Sequence, residues 1–284
     1  LSDTLSLHDA LPISVVNGRI SDRSFVQYRR FRWLVRRFFG MIDLVLAQTQ
    51  EYADRFRALG CPTERVVVTS SLKYDTAQVT ERVEGADALS DQLNLSTGRL
   101  WVAGGTGDDE EKIILNVYQW LKEDPSLADL RLAVVPRKPE RFDEVAQLIE
   151  QMALPLVRYS RIKGTPGRGV SDHNAVILGD TMGDLRRFYS LATVVFVGRT
   201  LVPMGGSDMM EAAALGKCTI FGPHTFNFRQ TVEALLADQG AIEVVDADDL
   251  CVVMTKCLAD PAYAETIARR GRQVIQNNQG ATAR

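Results

Sequence analysis

From Arg99 onward the chain settles into one repeating pattern, short apolar runs separated by segments of helical periodicity. Strands are expected at Leu100–Ala103, Leu130–Val135, Ala175–Leu178, Val194–Val197, Thr219–Phe221 and Ile242–Val245. Helices are expected near Asp109–Leu121, Glu140–Met152, Gly183–Leu191, Ser207–Leu215, Phe226–Ala237 and Ala247–Leu258, with a last one over Pro261–Gln276. A helix placed between two strands returns the chain to the end where it started, so the next strand pairs in parallel. The pattern therefore dictates an α/β fold with a parallel sheet.

Composition narrows the classes further. A hydrophobic fraction of 45% and a charged fraction of 24% are a globular mix, which excludes a disordered, collagenous or coiled-coil chain. With 33 basic and 36 acidic residues the net charge is −3, so no global field draws in nucleic acid. No apolar run approaches the ~20 residues of a membrane span. Cys61, Cys218, Cys251 and Cys257 form no C-x-x-C pair, and His8, His173 and His224 are the only histidines. Reduced thiols and no histidine-rich metal site are expected.

The N-terminal region reads differently. Leu1–Ile13 has neither helix nor strand periodicity and no basic or apolar leader segment, and it resembles translated sequencing-adapter read-through. It is set aside as non-native, and the rest then begins inside a strand at Val15-Val16. Residues 14–76 are accordingly expected to be the remnant of an N-terminal domain, 77–97 a linker with a short helix, and 98–284 a complete C-terminal domain. Within the remnant, strands are expected at Asp43–Ala47 and Arg65–Thr69, with a helix over Thr49–Leu59 capped by Thr49 and stopped by Gly60. A basic helix is expected over Ser24–Phe39. Tyr28, Phe31, Val35 and Phe38 line one face of it, and Arg29, Arg32 and Arg36 lie on another. It is either a surface for anionic lipid or a solvated basic face.

Ligands of an open parallel sheet bind beyond the carboxyl ends of the strands, so the strand exits are where chemistry is expected. After Val194–Val197 come Gly205-Gly206, which admit a ligand close to the backbone, and Glu211, able to accept from ribose hydroxyls. The same residues could make a tight turn and a helix-dipole partner. After Ala175–Leu178 come Asp180, Thr181, Met182 and Gly183, either an anion site or a capped turn. Arg137, flanked by Pro136 and Pro139, is either a phosphate or carboxylate contact or a surface arginine. His224 and Asn227 follow Thr219–Phe221. Gly104-Gly105-Thr106-Gly107 precedes Asp108, Asp109, Glu110 and Glu111, acids that would repel a phosphate. A further Gly-rich loop spans Pro166–Asp172. Neither a P-loop nor a nucleophile-elbow motif is present.

Several of these stretches together resemble one family. VPRKPERFDEV (135–145), LGDTMGDLRRFYSLATVVFVG (178–198), GGSDMMEAAALGK (205–217) and FGPHTFNF (221–228) are similar to the 3-deoxy-D-manno-octulosonic acid (Kdo) transferases. NGRISDRSFVQYRRFR (17–32), DLVLAQTQEYADRFRALG (43–60) and SLKYD (71–75) resemble the region that precedes those motifs in the family. The resemblance implies a two-domain GT-B glycosyltransferase that moves Kdo from CMP-Kdo to the lipid A precursor in lipopolysaccharide assembly. It would work at the cytoplasmic face of the inner membrane without metal or cofactor. By the same resemblance Arg137 meets the donor's phosphate or carboxylate. Thr181, Met182, Gly183, Gly205 and Gly206 line the donor, Glu211 holds its ribose, and Asn227 lies nearby. The chain departs from the family at Ser71, Gly107 and Asp208, where Asn, His and Asn are common. The family's catalytic glutamate and membrane-anchoring segment precede the matched region, so no catalytic residue is assigned and a donor-binding, inactive fragment is expected. Two other readings stay open: a GT-B-fold nucleotide-sugar epimerase, and a non-catalytic module binding CMP-sugars or lipids.

Overall fold

The computed structural model describes residues 11–95, 97–165, 170 and 172–280. Most of Leu1–Ile13 and of the Gly-rich loop over Pro166–Asp172 therefore lies outside the described residues. The chain divides into two compact units, Leu1–Thr76 with Asn278–Arg284, and Ala77–Asn277.

The smaller unit is a parallel three-stranded sheet, β1 (Ser14–Gly18), β2 (Leu44–Ala47) and β3 (Val66–Val68), in that order. Ile13 already belongs to it: the Asp43 N–H donates to the Ile13 carbonyl at 2.9 Å, and the Ile13 N–H donates to Asp43 Oδ2 at 3.0 Å. The basic segment forms two helices, α1 (Asp22–Arg30) and α2 (Arg32–Phe39), rather than one. Phe31 breaks it with φ −108° and ψ 31°. A stripe set by 3.6-residue periodicity cannot continue through a non-helical residue. The inward side chains are consequently Phe25, Val35 and Phe39, packed against Val45, Phe56 and Leu59, while Phe31 and Phe38 are each 61% exposed. After β2, α3 (Gln50–Leu59) starts and stops where its caps place it. The Tyr52 N–H donates to Thr49 Oγ1 at 3.2 Å, and Gly60 takes φ +119°. The short α4 (Lys73–Thr76) follows β3.

The larger unit opens with α5 (Ala86–Leu93), which buries Ala86, Leu89 and Leu93. Then come β4 (Leu100–Thr106), α6 (Glu110–Lys122), β5 (Arg131–Pro136), α7 (Phe142–Gln151) and β6 (Leu156–Arg158). Next are β7 (Val176–Leu178), α8 (Leu185–Leu191), β8 (Val194–Val197), α9 (Met210–Ala214) and β9 (Cys218–Phe221). The chain continues with α10 (Arg229–Ala237), β10 (Ile242–Glu243), α11 (Ala247–Ala259) and α12 (Pro261–Asn278). The seven strands form one sheet in the order β10-β9-β8-β4-β5-β7-β6, every pair parallel. β4 is central and wholly buried, and Trp101, Leu132, Val134, Phe196 and Ile220 pack with Ile114, Leu115 and Tyr118 of α6 in one continuous core. Each such side chain removed from water contributes about 1.5–3 kcal/mol.

From β4 the chain moves outward through β5 to β6 and β7, then returns through α8 to β8 on the other side of β4. The strand order reverses at the β4–β8 junction, which opens a crevice beyond the carboxyl ends of those two strands. That crevice is where the fold places a ligand.

Candidate functional site

The eight residues of the larger unit singled out for a donor leave the sheet from neighbouring strands. In sheet order Asn227 follows β9, Gly205, Gly206 and Glu211 follow β8, Arg137 follows β5, and Thr181, Met182 and Gly183 follow β7. Between them, at β4, runs Gly104-Gly105-Thr106.

On the β5–β7 side, Arg137 and Met182 line one cavity of about 820 Å³ together with Asp108, Lys138, Glu140, Arg141 and Glu144. Arg137 and Lys138 are exposed there and form no ion pair among the described residues. Arg141 is occupied, because Asp108, Glu111 at 2.7 Å and Glu144 at 3.0 Å all hold its guanidinium. Met182 is 67% exposed, and Gly183 has φ +85°. The Thr181 hydroxyl is turned away from the opening and donates to Asp184 Oδ2 at 2.5 Å. Asp184, 1% exposed, also receives Lys163 and Arg187. Burial pushes its carboxyl up, but these three donors outweigh burial and hold it below its ordinary value. Asp180 is buried too and accepts from Arg158 Nε at 2.7 Å and from the Ser160 N–H at 2.7 Å.

On the β8–β9 side, Gly205 and Gly206 have φ of +89° and +87°, left-handed values that only glycine adopts without strain. A Cβ on Gly205 would overlap the Asn227 side-chain amide, and the Asn227 N–H donates to the Gly205 carbonyl at 3.2 Å. These two predicted residues are therefore in direct contact. Ser207 reaches across the crevice and donates its hydroxyl to the Gly105 carbonyl at 2.7 Å. That bond holds the chain out of helix, so α9 begins at Met210 rather than at the expected Ser207. Asp208 Oδ1 accepts the Met210 N–H at 2.9 Å, and Glu211 is the second residue of the helix, half-buried. Burial pushes the Glu211 carboxyl up, Arg186 pulls it down, and Asp208 pushes it up.

Three participants were not foreseen from sequence. Glu110 and Glu111 were expected to sit at a helix N-terminus and to repel a phosphate; both are fully buried. Glu111 pairs with Arg141, and Glu110 accepts main-chain N–H groups from the residues after β8. The correction is physical: each acid is matched by donors that the linear sequence does not place beside it. The third is Tyr189 of α8, fully buried, whose hydroxyl has no hydrogen-bond partner among the described residues. It lies beneath Gly104, where a Cβ would stand 2.5 Å from the hydroxyl oxygen. Burial drives the phenol well above its ordinary range, Glu211 and Asp208 add to the shift, and Arg137 opposes it. Arg29, Arg32 and Arg36 belong to the other unit; they are exposed and form no ion pair among the described residues.

The chain is similar to proteins of known family. Residues 6–76 fit the family model described as 3-deoxy-D-manno-octulosonic-acid transferase (kdotransferase). The chain is 32% identical over 275 residues, 96% of its length, to the 3-deoxy-D-manno-octulosonic acid transferase of Haemophilus influenzae. It is 31% identical over 276 residues to the enzyme of the same name from Bordetella pertussis. It spans 62% of the length of each of these curated relatives. Among solved structures, it is similar to the C-terminal CMP-Kdo binding domain of WaaA from Acinetobacter baumannii, with a TM-score of 0.62 and 30% identity. That likeness covers 68% of this chain and 97% of the other. A glycosyltransferase from Rickettsia africae shares the fold at a TM-score of 0.53 and 14% identity, over 93% of this chain and 72% of that one.

Proposed function

The chain belongs to the Kdo transferase family of glycosyltransferases, α/β proteins of GT-B type, and we propose that its larger unit binds CMP-Kdo for transfer of Kdo to a lipid A precursor. The observation that carries this reading is the run of predicted donor residues along the exits of β9, β8, β5 and β7, around the reversal of strand order. The likeness of 68% of the chain to the C-terminal CMP-Kdo binding domain of WaaA supports the choice of nucleotide sugar.

Each group has a chemical role in the proposal. Arg137, with Lys138 beside it, meets the negative charge of the donor's phosphate or carboxylate. The paired left-handed glycines Gly205 and Gly206 bring main chain within reach of the nucleotide. Glu211 accepts from the ribose hydroxyls, Asn227 packs against Gly205, and Thr181, Met182 and Gly183 close the β7 side. Transfer also needs a base for the acceptor hydroxyl, and we assign none to this chain.

The proposal extends to a membrane surface. α1 and α2 have no buried residue, Trp33 is 80% exposed, and Phe31 and Phe38 stand out beside Arg29, Arg32 and Arg36. Aromatic side chains beside arginines that form no ion pair among the described residues suit the headgroup region of an anionic leaflet on the cytoplasmic side. Among the described residues no helix is long and apolar enough to cross a membrane. Calorimetric titration with CMP and with UMP tests the donor assignment. Tight binding of CMP over UMP is expected, and equal or inverted preference refutes it in favour of another nucleotide-sugar enzyme.

A further inference from the structure

Glu110 is the first residue of α6 and is completely buried, yet no cation pairs with it among the described residues. Its neighbour Glu111 shows the usual solution for a buried carboxylate, an arginine at 2.7 Å. Glu110 instead accepts three consecutive main-chain N–H groups. Arg199 donates to Oε2 at 2.5 Å, while Thr200 and Leu201 donate to Oε1 at 2.8 and 3.0 Å. Arg199 has φ +63°, which curls these amides into a concave nest of the kind that binds anions.

The surroundings are shaped for that contact. A Cβ on Gly198 would stand 2.5 Å from the Thr106 Cα of β4 and 2.8 Å from Glu110 Oε2, and one on Gly222 would stand 2.5 Å from the Thr200 carbonyl oxygen. Bonds then spread from the nest to both flanking loops. The Gly206 N–H donates to the Arg199 carbonyl at 2.8 Å. The Gly222 N–H donates to Thr200 Oγ1 at 2.8 Å, and the His224 N–H to the Thr200 carbonyl at 2.9 Å. One carboxylate is therefore upstream of the Gly205–Gly206 turn and of the loop that carries Asn227.

We propose that Glu110 is the positioning residue of the nucleotide site: by filling the amide nest of Arg199–Leu201 it sets the loop that presents Gly205, Gly206 and Asn227 to the donor. The ligand in this inference rests on the CMP-Kdo reading; the anchoring of the loop does not.

Hydrogen exchange followed by mass spectrometry on the full chain, with CMP titration alongside, tests both parts. Glu110→Gln keeps one accepting oxygen and turns an N–H₂ toward the third amide, so exchange over 199–206 should quicken about tenfold, the loss of one hydrogen bond. Glu110→Ala should quicken it further and extend it to 222–224. Glu110→Gln decides the matter if the alanine variant does not fold. Amides of β4 and β5 should be unchanged, and CMP affinity should fall at least tenfold with the loop. Unchanged exchange at 199–206 in Glu110→Gln overturns the proposal. So does acceleration spread evenly over β4 and β5, which marks a merely structural residue, and so does a loosened loop with unaltered CMP affinity. If the wild type binds no CMP while the loop still responds, the anchoring stands and the donor reading fails.

Discussion

Glu211→Gln separates a nucleotide contact from a helix-dipole partner, because the two roles move stability in opposite directions. Burial raises the Glu211 carboxyl above its ordinary value of 4.5, with Arg186 opposing and Asp208 reinforcing. For an acid shifted upward on folding, the folded state holds its proton more tightly than the unfolded one. Stability therefore falls as pH rises from 4.5 through the raised value, and at neutral pH the ionised side chain is a net cost to the fold. Glutamine removes that cost, so the Tm of the free protein should hold or rise. Binding should go the other way. An ionised acceptor is worth about 1.5–3 kcal/mol to a hydroxyl and a neutral one about 0.5–1.5. Glutamine should then weaken CMP about fivefold and alanine about 10- to 100-fold. Calorimetric titration gives the affinities and thermal scanning the stabilities. Acidification should weaken CMP from above the usual glutamate range, and Asp208→Asn should move that onset to lower pH by removing a neighbour that pushes Glu211 up. A dipole partner predicts the reverse set: a loss of about 0.3–1 kcal/mol of stability for either variant, with CMP affinity untouched. Equal affinities in all three proteins, or a lowered Tm in Glu211→Gln, would refute the reasoning.

Gly205→Ala should cost on the order of 1–3 kcal/mol of stability, since it combines a φ of +89° with a Cβ 2.6 Å from a Phe226 ring carbon; chemical denaturation measures it, and a change under ~0.5 kcal/mol contradicts the loop geometry. Asp184→Asn should lower the Tm at neutral pH and lose its effect in acid: a carboxyl held below its unfolded value of 3.8 contributes above that value, and the contribution goes as pH falls through the folded one. A difference in Tm that stays constant down to pH 2 would show that its donors matter less than its shape. Arg32→Glu combined with Arg36→Glu should abolish sedimentation with anionic vesicles, each arginine being worth about 1 kcal/mol at such a surface; binding to neutral vesicles as strong as to anionic ones would remove the electrostatic argument.

The sheet was legible because periodicity records burial. Strands such as Val194–Val197 are apolar throughout since both faces are covered, and helices such as α11 keep their apolar stripe. Thr49 and Gly60 located α3 because caps are local chemistry. The misses share the opposite cause. β6 has three half-buried residues, too few for any period to register. The break at Phe31 arises from packing Phe25 and Val35 on one core, which a stripe drawn through Tyr28 and Phe38 cannot reveal. α9 starts late because Ser207 bonds to Gly105, about a hundred positions away, and long-range hydrogen bonds leave no trace in a window of neighbours. The placement of Arg137, Gly205, Glu211 and Asn227 beyond the carboxyl ends of strands was legible because periodicity had already located those strands. Tyr189 was not, since a tyrosine within a helix looks like core whether or not its hydroxyl faces a crevice.

Of the acidic run after β4, Glu110 and Glu111 are buried, while Asp108 and Asp109 stay exposed. Four carboxylates cluster near the strand exits, Glu110, Glu111, Asp180 and Asp184, and all are buried. Each is answered locally: Glu110 by three amides, Glu111 by Arg141, Asp180 by Arg158 and Ser160, Asp184 by Lys163, Arg187 and Thr181. A charge fully engaged at hydrogen-bond distance projects little field, because its partner's dipole or charge cancels it within a few ångströms. Arg137 and Lys138 have no such partner among the described residues and open into the 820 Å³ cavity. Asp108, Glu140 and Glu144 line the same cavity, with Asp108 and Glu144 held by Arg141. The charge an anion would meet there depends on which groups are paired within the fold, a property of the three-dimensional pairing that composition does not report.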